Sequence, residues 1–199
     1  MVRTDEELVT AYIDAHDQDA FRELVERHKD RIYGYLLGMV HRRDLADDLF
    51  QETFYRVVSA MQRERGGYED RGRWLAWVMR IARNTTLDHI RKRSKWQDVD
   101  SGNDRDETSY WEQLPARQES ADSLLHRAEQ RELLDELIRE LPPEQREVLL
   151  LRQETDLTFR EIGNLTDVSI NTALGRMRYA LANLRKMLRQ RERNTPSEV

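Results

Sequence analysis

Apolar side chains recur at three- and four-residue intervals along most of the chain. Leu8, Ala11, Tyr12 and Ala15 form one row, Phe21, Leu24, Val25 and His28 a second, and Leu49, Thr53, Val57 and Ala60 a third. Such spacing places each row on one helical face, so residues 4–61 are expected to hold three or four helices. Residues 73–95 divide into two arcs on a helical wheel. Trp74, Leu75, Val78, Met79, Ile81, Ala82, Thr85, Thr86, His89 and Ile90 occupy one arc, and Arg73, Arg80, Arg83, Asn84, Arg91 and Lys95 the other, with Trp77 and Asp88 at a border and Leu87 interrupting the basic arc. From Trp96 to about Ser120 the text QDVDSGNDRDETSYWEQLPARQES has no sustained period and reads as a flexible linker. Helical pattern resumes in SLLHRAEQRELLDELIREL, stops at Pro142 and Pro143, and restarts in EQREVLLLRQE, where a proline and acids in the first turn mark a helix start. No run of β-branched residues bounded by turns suggests a sheet. The expectation is an all-α chain with a four-helix domain over residues 1–95, an acidic linker over 96–121, a second helical domain over 122–193 and a short tail over 194–199.

Within the second domain, Thr158 followed by Glu161 has the form of a capping box, and Leu157 with Ile162 that of a hydrophobic staple, so a short helix is expected from Thr158 to Leu165. Thr166, Asp167 and Val168 then make a tight turn, and Ser169 caps a second helix through its hydroxyl. In that helix Ile170, Ala173, Met177, Ala180 or Leu181, Leu184 and Leu188 form the expected buried stripe, while Thr172, Arg176, Tyr179 and Asn183 repeat on another face. A short helix, a tight turn and a longer Arg-bearing helix are the parts of a helix-turn-helix whose second helix enters a major groove. A plain αα-hairpin has the same parts, but Arg176, Arg178, Arg185, Lys186 and Arg189 add charge outside the core stripe.

Composition changes this picture in two ways. Charged residues make up 36% of the chain against 38% hydrophobic, a ratio that suits two small cores better than one large one. The formal net charge of −5 also conceals a segregation. Residues 1–62 carry 8 basic and 13 acidic side chains, 63–95 carry 10 and 4, 96–147 carry 6 and 15, and 148–199 carry 9 and 6. Local patches govern attraction to a polyanion, so an acidic total leaves a nucleic-acid partner open. Cysteine is absent, which excludes disulfides and thiolate metal sites. No apolar run approaches the ~20 residues of a membrane span, and the first residues carry acids where a signal peptide has its apolar core. A cytoplasmic protein without membrane insertion is the expectation.

Two readings fit residues 63–95. Arginines on one stripe neutralise phosphates, and an aromatic ring at its edge stacks on an unpaired base. The preceding RERGGYEDRGR, with Tyr68 between Gly66-Gly67 and Gly72, would then form a pliable loop able to pocket a flipped base. Alternatively the face is merely solvated and the loop merely connects helices. The histidines (His16, His28, His41, His89, His126) show no metal-ligand spacing, and no phosphate loop or nucleophile elbow appears, so no metal, cofactor or catalytic residue is expected. His41 near Asp44, Asp47 and Asp48 reads as a surface helix end, and His89 as a packed residue.

Three blocks in this order, DDLFQETFYRVVSAM (47–61), WLAWVMRIARNTTLDHIRKR (74–93) and LPPEQREVLLLRQETDLTFREIGNLTDVSINTALGRMRYALANLRKML (141–188), resemble the extracytoplasmic-function (ECF) class of bacterial RNA polymerase sigma factors. The resemblance implies that Asp47, Asp48, Gln51, Glu52 and Phe54 contact core RNA polymerase. It implies that Tyr68, Arg73, Trp77, Arg80, Arg83, Asn84 and Arg91 serve the helix and loop that read and melt the downstream promoter element as single-stranded DNA. It further implies that Thr172, Arg176 and Arg178 contact duplex DNA of the upstream element, with Ser169 and Asn171 near its backbone. The linker would thread the polymerase's RNA exit path, its acids imitating a nucleic-acid strand, or it is a solvated spacer. An anti-sigma factor is a further partner the class brings with it. Two departures stand out: Asp167 takes the turn position where members carry Gly, and Leu174 and Gly175 stand where members carry Lys and Ser. Leucine can touch a thymine methyl but cannot donate to guanine, which bears on the upstream sequence preference. The competing function is a stand-alone helix-turn-helix regulator of duplex operators, which leaves Trp77, the Gly-rich loop and residues 47–61 without a task.

Overall fold

The computed structural model describes residues 2–62, 68, 73–96, 130 and 132–194, which fall into two compact helical units with no strand among them. Of the linker expected over 96–121, Trp96 belongs instead to the last helix of the first unit; residues 97–121, the start of the second domain near residue 122, most of the loop at 63–72 and the last residues, 195–199, lie outside the described residues.

The first unit contains α1 (Asp5–Ala15), α2 (Gln18–Val40), α3 (Arg43–Met61) and α4 (Trp74–Trp96). The first two helices start and stop for local reasons. Thr4 and Glu7 form a reciprocal capping box at the head of α1, and His16 ends it in the left-handed conformation at φ 54°. Asp17 accepts hydrogen bonds from the amides of Asp19 and Ala20 to start α2, which His41 ends in the same left-handed way. The core is a four-helix arrangement around α2, whose segment Gly34–Met39 is buried on every side. Leu8 and Tyr12 from α1, Ala46, Leu49 and Val57 from α3, and Trp74, Val78, Met79 and Ala82 from α4 close on it. Thr85 and Thr86 are buried on the same face of α4 because their hydroxyls donate back to the carbonyls of Ile81 and Ala82, at 2.9 and 2.8 Å.

A polar network ties the segment before α1 to α2. Arg27 donates to Asp5 Oδ1 at 2.6 Å and to the Arg3 carbonyl at 2.9 Å, and Arg3 pairs with Glu23. His28 Nε2 lies 2.7 Å from Asp5 Oδ2, and its ring packs at 5.4 Å from Trp74. Burial holds the His28 imidazole below its ordinary pKa, opposed by the Asp5 carboxylate, with Arg31 and Arg27 adding to the lowering.

The second unit contains α5 (residues 132–139), α6 (Pro143–Glu154), α7 (Phe159–Leu165) and α8 (Ile170–Asn194). Leu137, Ile138, Leu141, Leu149, Ala180 and Leu184 form the core between α5, α6 and α8. The end of α5 is capped from the next helix: Arg146 donates to the carbonyls of Ile138, Arg139 and Leu141. Burial lowers the pKa of that guanidinium, yet these carbonyls satisfy the donors that burial removes from water. The staple residues Leu157 and Ile162 are both buried, and Thr158 and Glu161 make the expected capping box.

Gly163 explains how closely α7 meets the turn. A Cβ there would stand 2.9 Å from the Val168 carbonyl oxygen, a backbone atom whose partner is fixed because Gly163 O accepts from Val168 N–H at 2.9 Å. Asp167 takes the left-handed conformation at φ 57°, which aspartate tolerates better than most residues. Ser169 Oγ accepts from the amide of Thr172 at 3.0 Å, the expected cap of α8.

The structure corrects several expectations about faces. Ile170, placed in the buried stripe of α8, is 42% exposed, and Ile90, placed on the apolar arc of α4, is 41% exposed. Asn183, placed on the polar face, donates instead to Gln145 of α6 at 2.8 Å.

Candidate nucleic-acid and partner surfaces

The first surface is the outer side of α4. Arg73, Trp77, Arg80, Asn84 and Arg91 lie within about 60° of one another on a helical wheel and extend over ~27 Å at 1.5 Å per residue. Arg73, Arg80, Asn84 and Arg91 are exposed, because the opposite side of the helix is committed to Trp74, Val78 and Ala82 in the core. Trp77 is half-buried and meets Tyr68 edge to face, with ring centroids 5.1 Å apart and planes at 83°. The contact brings the loop tyrosine and the helix tryptophan together at one end of the stripe. Arg83 is half-buried on the flank of the stripe. Asp88, the sole acid between residues 73 and 92, turns toward α3, where its carboxylate lies 3.8 Å from Arg56. The stripe therefore presents positive charge and one aromatic edge without an acid in its row.

The second surface is the outer side of α3, where Asp44, Asp47, Asp48, Gln51 and Glu52 are all exposed. Asp47 accepts a hydrogen bond from the Tyr33 hydroxyl at 2.7 Å, and burial followed by this carboxylate raises the phenol's pKa. Glu52 pairs with Arg56 one turn on, at 2.7 Å. Phe54 is half-buried, its ring 4.7 Å from that of Phe50 and tilted at 51°, and Phe50 meets Tyr33 in turn, so Phe54 belongs to an aromatic row under the acids. Tyr55 was not singled out from the sequence, yet it is 72% exposed in the row of Asp44, Asp48 and Gln51. The i, i+4, i+7, i+11 spacing of that row was the available signal. Between α3 and α4 lies an open groove of about 400 Å³ lined by Asp48, Glu52, Arg56, Asp88, His89 and Lys92 among others. His89 is thus half-buried at a polar groove, where the sequence suggested a packed residue.

The third surface is the outer side of α8. Asn171, Gly175, Arg178, Ala182, Arg185 and Arg189 fall within about 80° of arc. Gly175 meets nothing within 4 Å of where a Cβ would stand, so this arc faces solvent. Arg178 lies near its centre, with its guanidinium 5.5 Å from the Tyr179 ring centroid. Thr172 and Arg176 lie about 100° and 140° from Asn171 on the wheel, off this arc, and Arg176 is half-buried. Ser169 spends its hydroxyl on the helix cap and on Thr172 Oγ1 at 2.9 Å. The expected upstream set is therefore split, with Asn171 and Arg178 on the open arc and Ser169, Thr172 and Arg176 outside it.

No group of His, Asp and Glu among the described residues has the geometry to hold a metal ion, and no helix among them is long and apolar enough to cross a membrane. A family model described as "Sigma-70 region 2" matches residues 24–95, and one described as "Sigma-70, region 4" matches residues 137–186. The chain is 36% identical over 175 residues to RNA polymerase sigma factor CarQ of Myxococcus xanthus, covering 88% of this chain and 92% of the relative. It is 30% identical over 178 residues to ECF RNA polymerase sigma factor SigW of Bacillus subtilis (strain 168), covering 87% and 91%. The fold is similar to that of the sigma factor RpoE crystallised with the anti-sigma factor NepR from Bartonella quintana, with a TM-score of 0.65 at 20% identity over 85% of this chain and 96% of that one. It is also similar to that of CnrH in complex with the cytosolic domain of CnrY, with a TM-score of 0.62 at 20% identity over 94% and 99%.

Proposed function

The chain belongs to the ECF class of RNA polymerase sigma factors, and on that premise we propose how its surfaces divide the work of promoter recognition. The acidic side of α3, with Asp47, Asp48, Gln51, Glu52 and the exposed ring of Tyr55, docks on a basic surface of core RNA polymerase. Phe54 supports that face from below. The stripe of Arg73, Trp77, Arg80, Asn84 and Arg91, flanked by Arg83, holds the separated strand of the downstream promoter element, and Tyr68 with Trp77 supplies aromatic faces for unpaired bases. The α7–α8 pair reads the upstream element as duplex, with Asn171 and Arg178 toward the bases and Ser169, Thr172 and Arg176 toward the backbone.

The observation that carries this reading is the acid-free stripe of α4 with an aromatic pair at one end. Parting strands costs a few kcal/mol per step, and stacking on an aromatic ring returns ~1–3 kcal/mol per base. The strand separation therefore becomes favourable only once core polymerase and the second unit hold the protein at the site. A stand-alone duplex regulator has no use for either α4 or the acidic side of α3. The complex of the sigma factor RpoE with the anti-sigma factor NepR among the similar folds supports an anti-sigma protein as a further partner of this chain.

Run-off transcription from fragmented genomic DNA of the source organism, with matched core polymerase and with or without this protein, tests the reading. New RNA starts sharing a two-part upstream sequence are expected. A protein that yields no new starts, yet shifts duplex DNA by itself, would be a stand-alone regulator instead.

A further inference from the structure

The open arc of α8 has a feature that phosphate contact alone leaves unexplained. Leu174 is 43% exposed and Ile170, one turn earlier, is 42% exposed, while the apolar residues of α8 that face the core are buried or half-buried. Leu174 lies within about 60° of Asn171 and about 40° of Arg178 on the helical wheel, so it shares their side of the helix. The next residue is Gly175, which has open space where a Cβ would be. A helix bearing Arg178, Arg185 and Arg189 on that side is suited to a polyanion, and an absent Cβ lets the partner approach the backbone more closely than any other residue would. In the major groove the one apolar group at a base edge is the C5-methyl of thymine.

We propose that Leu174 reads a thymine in the upstream promoter element through its C5-methyl group, and that Gly175 admits the groove closely enough for that contact. This rests on the reading of α8 as the duplex-reading helix and adds its base preference. Leucine offers no hydrogen-bond donor, so guanine and adenine gain nothing at this position, while cytosine lacks the methyl. Ile170 extends the apolar flank toward the head of α8, next to the capping hydroxyl of Ser169.

The test uses holoenzyme assembled from core polymerase and the full chain. Duplexes with a randomised upstream segment are selected by binding, and the selected sequence is remade with deoxyuridine replacing each thymidine in turn, which removes only the methyl. One position is expected to lose about three- to fivefold in affinity, the scale of burying one methyl group. Leu174→Ala should lose a similar factor on the thymidine duplex and become indifferent to uridine at that position, whereas Leu174→Met should keep the preference. Because Leu174 is exposed, these variants are expected to fold, and thermal denaturation of each checks it. Indifference of the wild type to every uridine, or a Leu174→Ala variant that still discriminates, overturns the proposal. In those cases Arg178→Ala tells the two levels apart. A loss of upstream binding leaves α8 as the reading helix with a different base preference, and no loss removes that role from α8 altogether.

Discussion

Both α4 and α8 carry rows of arginine, but the two helices are constructed differently around them. In α4 the core face is filled by Trp74, Val78, Met79 and Ala82, and the opposite side holds Arg73, Arg80, Asn84 and Arg91 with Trp77 edge-on to Tyr68. In α8 the buried positions are narrower, Ala173, Ala180 and Leu184, and the exposed arc contains Gly175, Ala182 and the bare leucine at 174. A large ring beside a charged stripe suits a strand whose bases are unstacked. Small residues along a charged arc suit a groove that the helix must enter. The same charge thus serves two states of DNA, and the neighbours of the arginines make the distinction.

Removing the ring that distinguishes α4 should have the largest effect. Trp77→Ala is expected to slow open-complex formation by about ten- to a hundredfold, the range of one lost base stack; unpaired-base reactivity would report it, and core binding in a pull-down should stay unchanged. The second unit can be broken without touching the first through Gly163→Ala. A Cβ 2.9 Å from the Val168 carbonyl forces α7 off the turn, so a cost of about 1–3 kcal/mol is expected in denaturant unfolding of the second unit, with upstream binding lost and core binding retained. Asp48→Arg probes the remaining surface, and a decrease of roughly tenfold in core affinity is expected from a like-charge contact at an interface rim, read by titration with labelled core.

Smaller changes sharpen the comparison. Gly175→Ala should raise the stability of α8 by up to about 1 kcal/mol in thermal melts while weakening upstream binding, because the added methyl favours the helix and obstructs the groove. The opposite signs separate folding from recognition in one variant. The smallest effect concerns pH. His28 has its folded pKa below the ordinary value of about 6.5, so its contribution to stability is complete above that pH and is lost as pH falls toward the folded value. Unfolding of the first unit should become easier as pH falls below about 6.5, and His28→Gln, which keeps a donor for Asp5, should flatten that slope.

Features with local causes were legible in the sequence. The Thr158–Glu161 box, the Ser169 cap and the left-handed turn at Asp167 depend on residues within four positions of one another, and each is found. The split of α4 into a core arc and a basic arc was equally visible, since Trp74, Val78 and Ala82 recur at the helical period. What eluded the sequence depends on how neighbouring helices meet. Ile90 and Ile170 have the right period for burial yet stay exposed, and Asn183 reaches Gln145 only because α6 crosses there. The role of Arg146 in closing α5 depends on the chain reversal at Pro142 and Pro143. Tyr55 was overlooked because one aromatic in an acidic row resembles a core position until its exposure is known. The base preference of α8 was legible only as a departure at Leu174 and Gly175, which acquires direction once both face open space.

The division of labour between α4 and α8 is tested most directly by transcription from promoters whose downstream element is already unpaired by mismatch. With holoenzyme carrying Trp77→Ala, the pre-opened template should restore transcription close to the wild-type level, because the step that Trp77 assists has been supplied. With Arg178→Ala the defect should persist, because the upstream duplex must still be found. Equal rescue of both variants, or rescue of Arg178→Ala alone, would contradict the assignment of melted DNA to α4 and duplex DNA to α8.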